Sequence, residues 1–299
     1  MKNAILYYYG IMPIDIHQIN KIYKFYIAKD NYVLYPCKKT YEEIKEIYML
    51  HIEILKSGNY CHQIVLNKNK EILTNINQDN YILLKTFVKN RQITLNDIKV
   101  FSNIYINNSV YKKIQRTSWH KLWINKIDYL EYQISQFGKN YPIITESSDY
   151  YIGIVETCIS LLVNIREETS FMTISHDRIN QKYTLFDLYN PINFIIDHRV
   201  RDIGEYIKNN ILNHNNIVNE LNSYITSNNL SEYEIVLLFI RILYPSHYLD
   251  LCERIIDKKT QENELIKLLE NVEMYEKNIK KIYHYIKRIS KIPEIEWLT

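Results

Sequence analysis

Two short β-type runs, Phe171-Met172-Thr173-Ile174 and Asn193-Phe194-Ile195-Ile196-Asp197, interrupt a chain that otherwise carries helical periodicity from residue 94 onward. That order constrains the fold more than any other feature. Ahead of the helices, residues 1–90 read as mixed α and β. Strands are expected over 23–27 and 31–35, joined by an Ala28-Lys29-Asp30 turn, and over 63–66 and 81–84, with a further turn at Lys68–Glu71. Between the two pairs, Thr40 opens a helix with Glu43 at the capping-box position, and Gly58 ends it. Later helices are expected from Thr94-Leu95-Asn96-Asp97, over 118–136 and 149–166, from Asp202, and over 212–225, 231–256 and 260–290. No segment repeats with a period that would make a solenoid. The expected class is α+β: a small N-lobe over 1–90 with an antiparallel sheet and a helix, then a helical C-lobe over 91–299 carrying the island at 171–202.

Glycine supplies the sharpest exclusion. The chain has five, Gly10, Gly58, Gly138, Gly153 and Gly204, and all are isolated. A backbone cradle for phosphates needs clustered glycines, so P-loop and dinucleotide-binding chemistry is disfavoured. A net charge of +3 gives no basic excess to neutralise nucleic-acid phosphates. Cys37, Cys61, Cys158 and Cys252 are far apart with no C-x-x-C pair, and read as reduced thiols. The opening MKNAILYYYGIMP has no small-residue cleavage site, and the longest apolar run, Ile235–Ile240, stops at Arg241, well short of a bilayer span.

The small mixed lobe followed by a helical lobe resembles the bilobal layout of protein kinases. The island falls where that fold keeps its catalytic loop, H-x-D with an Asn five residues later, and a second, metal-holding Asp. The stretches TISHDRI (173–179), NPINFIIDHRVRDIGEYIKNN (190–210) and RILYPSHYLDLCE (241–253) resemble the YutH and CotS-like family of spore-coat kinase-like proteins, within the aminoglycoside/choline phosphotransferase fold. Tyr9-Gly10-Ile11, TSWHKLWINKIDYLE (117–131) and IPEIEWL (292–298) fit the same pattern.

Carried over residue by residue, the resemblance shows losses. His176 matches the His of H-x-D, but Arg178 stands in the place of the catalytic Asp and Tyr183 in that of the metal-binding Asn. Asp197 matches the metal Asp, for use only if a magnesium nucleotide binds. The strand lysine falls near Tyr35, ahead of Pro36, with Lys38 and Lys39 close by; Glu43 or Glu46 matches the helix carboxylate that partners it. Asp177 is the alternative base if the loop is rebuilt. The expectation is a pseudokinase of the spore coat, partnered by other coat proteins, with no cofactor, nucleic acid or membrane; the alternative is an active small-molecule or protein phosphotransferase using Mg-ATP through Asp177 or Asp197. Arg178 is further expected to pair with Asp197 or another carboxylate as a buried ion pair.

Other residues have structural readings. Asp202 opens an amphipathic helix, where a carboxylate caps free N–H groups, and the resemblance adds a tie to the catalytic loop. His198 reads as packed or hydrogen-bonded, Arg201 as ion-paired, and His176, Asp197 and His198 do not have zinc spacing. Trp119 and Trp123, four apart, read as core. Lys277, Lys280, Lys281, Lys287, Arg288 and Lys291, behind an acidic stretch at Glu262–Glu276, read as a solvated helix following the macrodipole.

Overall fold

The strand Asp79–Thr86 is the one around which the N-terminal sheet is built, because its side chains alternate between two apolar layers. The computed structural model describes residues 1–299 except 88–89, 108–109, 166–170 and 213–216. The strands are β1 (Ile16–Ile19), β2 (Ile22–Ile27), β3 (Asp30–Pro36), β4 (Gln63–Val65), β5 (Thr74–Ile76), β6 (Asp79–Thr86), β7 (Met172–His176) and β8 (Phe194–His198). The first six form an antiparallel sheet in the order β1-β2-β3-β6-β4, with β5 also on β6. Ile82 and Leu84 point to one layer, with Ile44, Ile47, Leu50 and Ile54 of the Tyr41–Lys56 helix. Tyr81 and Leu83 point to the other, with Phe25, Leu34 and Ile5 of the Lys2–Tyr9 helix. Both faces are therefore covered, as the period of two requires. The Tyr41–Lys56 helix starts as expected: Thr40 accepts from the Glu43 N–H, and Glu43 accepts from the Thr40 N–H.

The chain divides into two compact units: Met1–Arg116 with Met172–Asp197, and Thr117–Phe171 with His198–Thr299. The single cut expected at residue 90 is thus not the observed one. Residues 91–116 and the island share an apolar cluster with the sheet's helix, through Phe101, Ile106, Tyr111, Ile114, Ile174, Phe194 and Ile196.

The second unit is helical: Trp119–Phe137, Pro142–Asn164, Arg201–Asn210, Ile217–Ser227, Glu232–Leu243, Ser246–Ile256 and Val272–Ile289 are its longer helices. Every residue from Glu234 to Leu243 is buried. The helix expected over 231–256 breaks at Tyr244-Pro245, because proline has no N–H to continue the ladder. Glu232–Ile256 is apolar enough to resemble a membrane span, and its burial inside the unit accounts for that. Residue 166 of the expected 149–166 helix, and 213–216 of the expected 212–225 helix, lie outside the described residues.

A buried charge cluster sits in this helical core. Glu205 Oε1 is 2.8 Å from Lys208 Nζ and 2.7 Å from Arg241 Nε. Lys208 also donates to the Tyr244 carbonyl at 2.7 Å and the Ser246 hydroxyl at 2.9 Å, and Ser246 donates to Glu205 Oε2 at 3.1 Å. Burial alone pushes the Glu205 carboxyl up, but Lys208 and Arg241 outweigh it and hold it well below its ordinary value. Burial also pushes Lys208 down to about 8, against the pull of Glu205.

Glu205→Ala leaves two buried cations without their carboxylate and is expected to destabilise the protein by about 3–5 kcal/mol, read from urea unfolding at neutral pH. In the first unit, burial pushes His51 and His62 down to about 4 each. The unfolded chain takes up these protons near the ordinary value of about 6.5. Stability is therefore full above that pH and falls as pH drops from there to about 4, by on the order of 2–3 kcal/mol per histidine. Urea midpoints measured across this range should fall less steeply in His51→Leu than in the parent.

Candidate functional site

The island residues are positioned by backbone pairing within the first unit. β7 pairs with β8. On the outer side of β7, Tyr105 bridges to Thr173, and the Ile106 N–H donates to the Met172 carbonyl at 3.1 Å. On the outer side of β8, Gln115 bridges to Ile196 in parallel, the Arg116 N–H donates to the Ile196 carbonyl at 2.9 Å and the Ile196 N–H to that of Ile114 at 3.0 Å. Asp197 follows Ile196 on this strand and is fully buried. The Asp177 N–H donates to the Asn193 carbonyl at 2.9 Å, which closes the end of the ribbon.

His176 is a core residue. Its Nε2 lies 2.8 Å from the Leu188 carbonyl, and Phe101 and Phe194 meet its ring edge-on at 5.1 and 5.5 Å. Tyr183 is buried, and its hydroxyl donates to the Asp187 carbonyl at 3.1 Å. Arg178 is exposed, which corrects the expectation of a buried cation at that position. A guanidinium on a long flexible stem keeps its charge in water unless a buried anion repays its desolvation.

At the strand end, Tyr35 pairs with Ile82 across β3 and β6 and packs on the apolar cluster. Lys39 reaches the island: its Nζ is 3.5 Å from Asp177 Oδ2, with side-chain exposures of 17% and 50%. Sequence reading placed Lys39 near this region, but nothing in its spacing pointed to Asp177, 138 positions away. Burial pushes the Cys37 thiol up despite the Lys39 charge, so it is no ready nucleophile. Burial pushes Glu43 up as well, but Thr40, Lys39 and Arg116 together bring it below its ordinary value; Arg116 Nη2 is 3.2 Å from its carboxylate. Glu46 accepts from the N–H groups of Lys113 and Ile114 at 2.8 and 3.1 Å. Both candidate helix carboxylates thus tie down the 113–116 segment beside β8, a role that sequence alone did not signal.

The helical unit holds the remaining candidates. His198 Nε2 is 3.3 Å from the Thr117 carbonyl, and its ring lies edge-on to Trp119 at 5.1 Å. Asp202 is buried in the first turn of its helix, where the macrodipole favours a carboxylate. The N-cap there is Val200, without a side-chain bond. Trp119 and Trp123 are buried and stack at 5.5 Å, as core residues do.

A magnesium nucleotide needs several oxygen donors converging on the ion. Asp197 is a carboxylate at one matching position, while position 183 offers a phenol already bonded to the chain. Among the described residues, no three His, Cys, Asp or Glu side chains are grouped to hold a metal.

A family model described as "Spore coat putative kinase YutH" matches residues 2–286. The chain belongs to this family. The endospore coat-associated protein YutH of Bacillus subtilis (strain 168) is 27% identical over 207 residues, which span 60% of this chain and 61% of that relative, under two thirds of its length. Among solved structures, an aminoglycoside phosphotransferase from Alicyclobacillus acidocaldarius superposes with a TM-score of 0.67 at 9% identity, over 96% of this chain and 97% of that one. A spectinomycin phosphotransferase in complex with ADP and spectinomycin gives 0.61 at 11% identity, over 96% of each. At such identities the likeness concerns the fold, which is α+β and kinase-like.

Arg178→Ala, a change at an exposed position, is expected to cost less than about 1 kcal/mol, whether or not the guanidinium is paired. Tyr183→Phe removes a hydrogen bond from a buried hydroxyl and should cost about 1 kcal/mol. Paired thermal melts of the two variants test that order.

Proposed function

We propose that this protein is a spore-coat component that uses the kinase-like fold without phosphoryl transfer, acting through contacts with other coat proteins. The observation that carries this reading is the side-chain chemistry of the island. An exposed guanidinium stands at 178 and a chain-bonded phenol at 183, where a phosphotransferase needs a proton acceptor and a metal-holding carboxamide. A guanidinium stays protonated at physiological pH and has no lone pair with which to accept the hydroxyl proton. The coat association of the Bacillus subtilis relative supports the location. In this reading the protein needs no cofactor, and its site residues serve to hold the surface rigid.

One observation favours a second reading, a phosphotransferase with a rearranged site. Asp177 is half-exposed and faces Lys39 at 3.5 Å. In that scheme Asp177 takes the proton of the acceptor hydroxyl and Lys39 neutralises phosphate charge.

Incubation of the purified protein with radiolabelled ATP and generic proteins, aminoglycosides, choline or sugars is expected to give no transfer. Calorimetry with Mg-ATP should show a dissociation constant of about 1 mM or weaker. Transfer abolished by Asp177→Asn or Asp197→Asn, in variants that remain folded, would replace the first reading with the second.

A further inference from the structure

The helix Val272–Ile289 buries Tyr275, Ile279, Ile282, Tyr283 and Ile286. At about 3.6 residues per turn, Lys277, Lys281, His284 and Arg288 fall on the opposite face as one stripe about 16 Å long. All four are exposed. The sequence alone gives this stretch only the reading of a solvated face. The structure adds a concavity: Val218, from the Ile217–Ser227 helix, joins Lys281, His284, Lys287 and Arg288 in lining a groove of about 580 Å³.

Its charge is poorly compensated within the protein. Among the described residues, no carboxylate pairs with Lys281, His284 or Arg288. Lys281 reaches only the Asn278 amide oxygen, at 3.4 Å, and Lys287 meets Glu294 at 3.4 Å with both side chains in water. Such an exposed pair is readily exchanged for another anion.

We propose that this groove docks a short acidic segment of a partner protein. The proposal deepens the coat-component reading, on which it rests, by naming the chemistry of the partner. The length selects the segment: from Lys281 to Arg288 the groove runs about 10 Å along the helix, which accommodates about three extended residues. Glu273 and Glu276, on the preceding turns of the same helix, repel a polyanion that runs further. The net charge of +3 supplies no wider basic field along which a nucleic-acid backbone would track.

The test is fluorescence polarisation of a labelled hexaglutamate peptide with the whole chain. Saturable binding is expected, weakening as salt rises. The double variant Lys281→Glu/Arg288→Glu should lose about tenfold or more in affinity, while Lys45→Glu/Lys56→Glu, with the same charge change elsewhere, should lose less than about twofold. The milder Lys281→Gln/Arg288→Gln pair gives the same comparison if the first variant fails to fold. Absence of peptide binding, equal losses in groove and control variants, or tighter binding of a short single-stranded oligonucleotide each overturns the proposal. Location of the tagged protein in sporulating cells is read separately. Coat association without peptide binding overturns the groove alone, and absence from the coat overturns the coat reading.

Discussion

Inside the helical unit the buried carboxylate of Glu205 faces the cations of Lys208 and Arg241. Buried charges are tolerable only if neighbouring groups repay their desolvation, and the surrounding core is arranged to do so. The guanidinium of Arg241 lies 5.2 Å from the Trp119 ring and 5.8 Å from that of Tyr244, so aromatic faces supplement the carboxylate. Trp123 and Tyr244 stack at 4.0 Å and extend this wall. The same constraint explains a glycine: a Cβ at position 204 would lie 2.7 Å from Arg241 Cγ. It also gives the Pro245 break a use, since the helix interruption frees the Tyr244 carbonyl and turns Ser246 toward Lys208.

In the first unit, residues that the sequence resemblance led us to expect at a phosphotransferase site are engaged in holding the chain. Tyr35 packs, Tyr183 bonds a carbonyl, His176 lies among aromatic rings, and Glu43 and Glu46 secure the segment beside β8. Tyr183, His176, Glu43 and Glu46 each bond a neighbour, which is the condition for a buried polar group to be stable. Lys39 and Asp177 depart from this pattern, being an ion pair partly open to water.

What was legible in the sequence follows the strength of the local signal. β2 and β3 carry aromatic and β-branched residues, and Thr40-x-x-Glu43 marks a helix start through local hydrogen bonds; the structure places all three where these features pointed. β1 gave no signal because three of its four residues are exposed and nothing alternates, and β5 is only three residues long. The Lys2–Tyr9 helix has no acid in its first turn and no side-chain cap, so its start was silent. Pro245 was visible, but the apolar run on either side masked its effect. The Trp119 environment could be read as core from residue type and spacing, whereas His176, matched to a catalytic loop by resemblance, was shown to be core only by its contacts. The Lys39–Asp177 contact could not, because only the completed fold brings those residues together.

The first unit is discontinuous: residues 172–197 belong with 1–116, and 117–171 belong elsewhere. Closing a connection of that length costs roughly 3–4 kcal/mol in chain entropy beyond a constant. The sheet and its helix can form early, but the cluster around Phe101 and Ile114 stays open until Ile174, Phe194 and Ile196 arrive. On a ribosome, this means that the N-terminal unit waits with apolar surface exposed while the intervening helices are synthesised, a period in which premature association competes with folding. The order of synthesis therefore sets when the surfaces of this unit become safe to present.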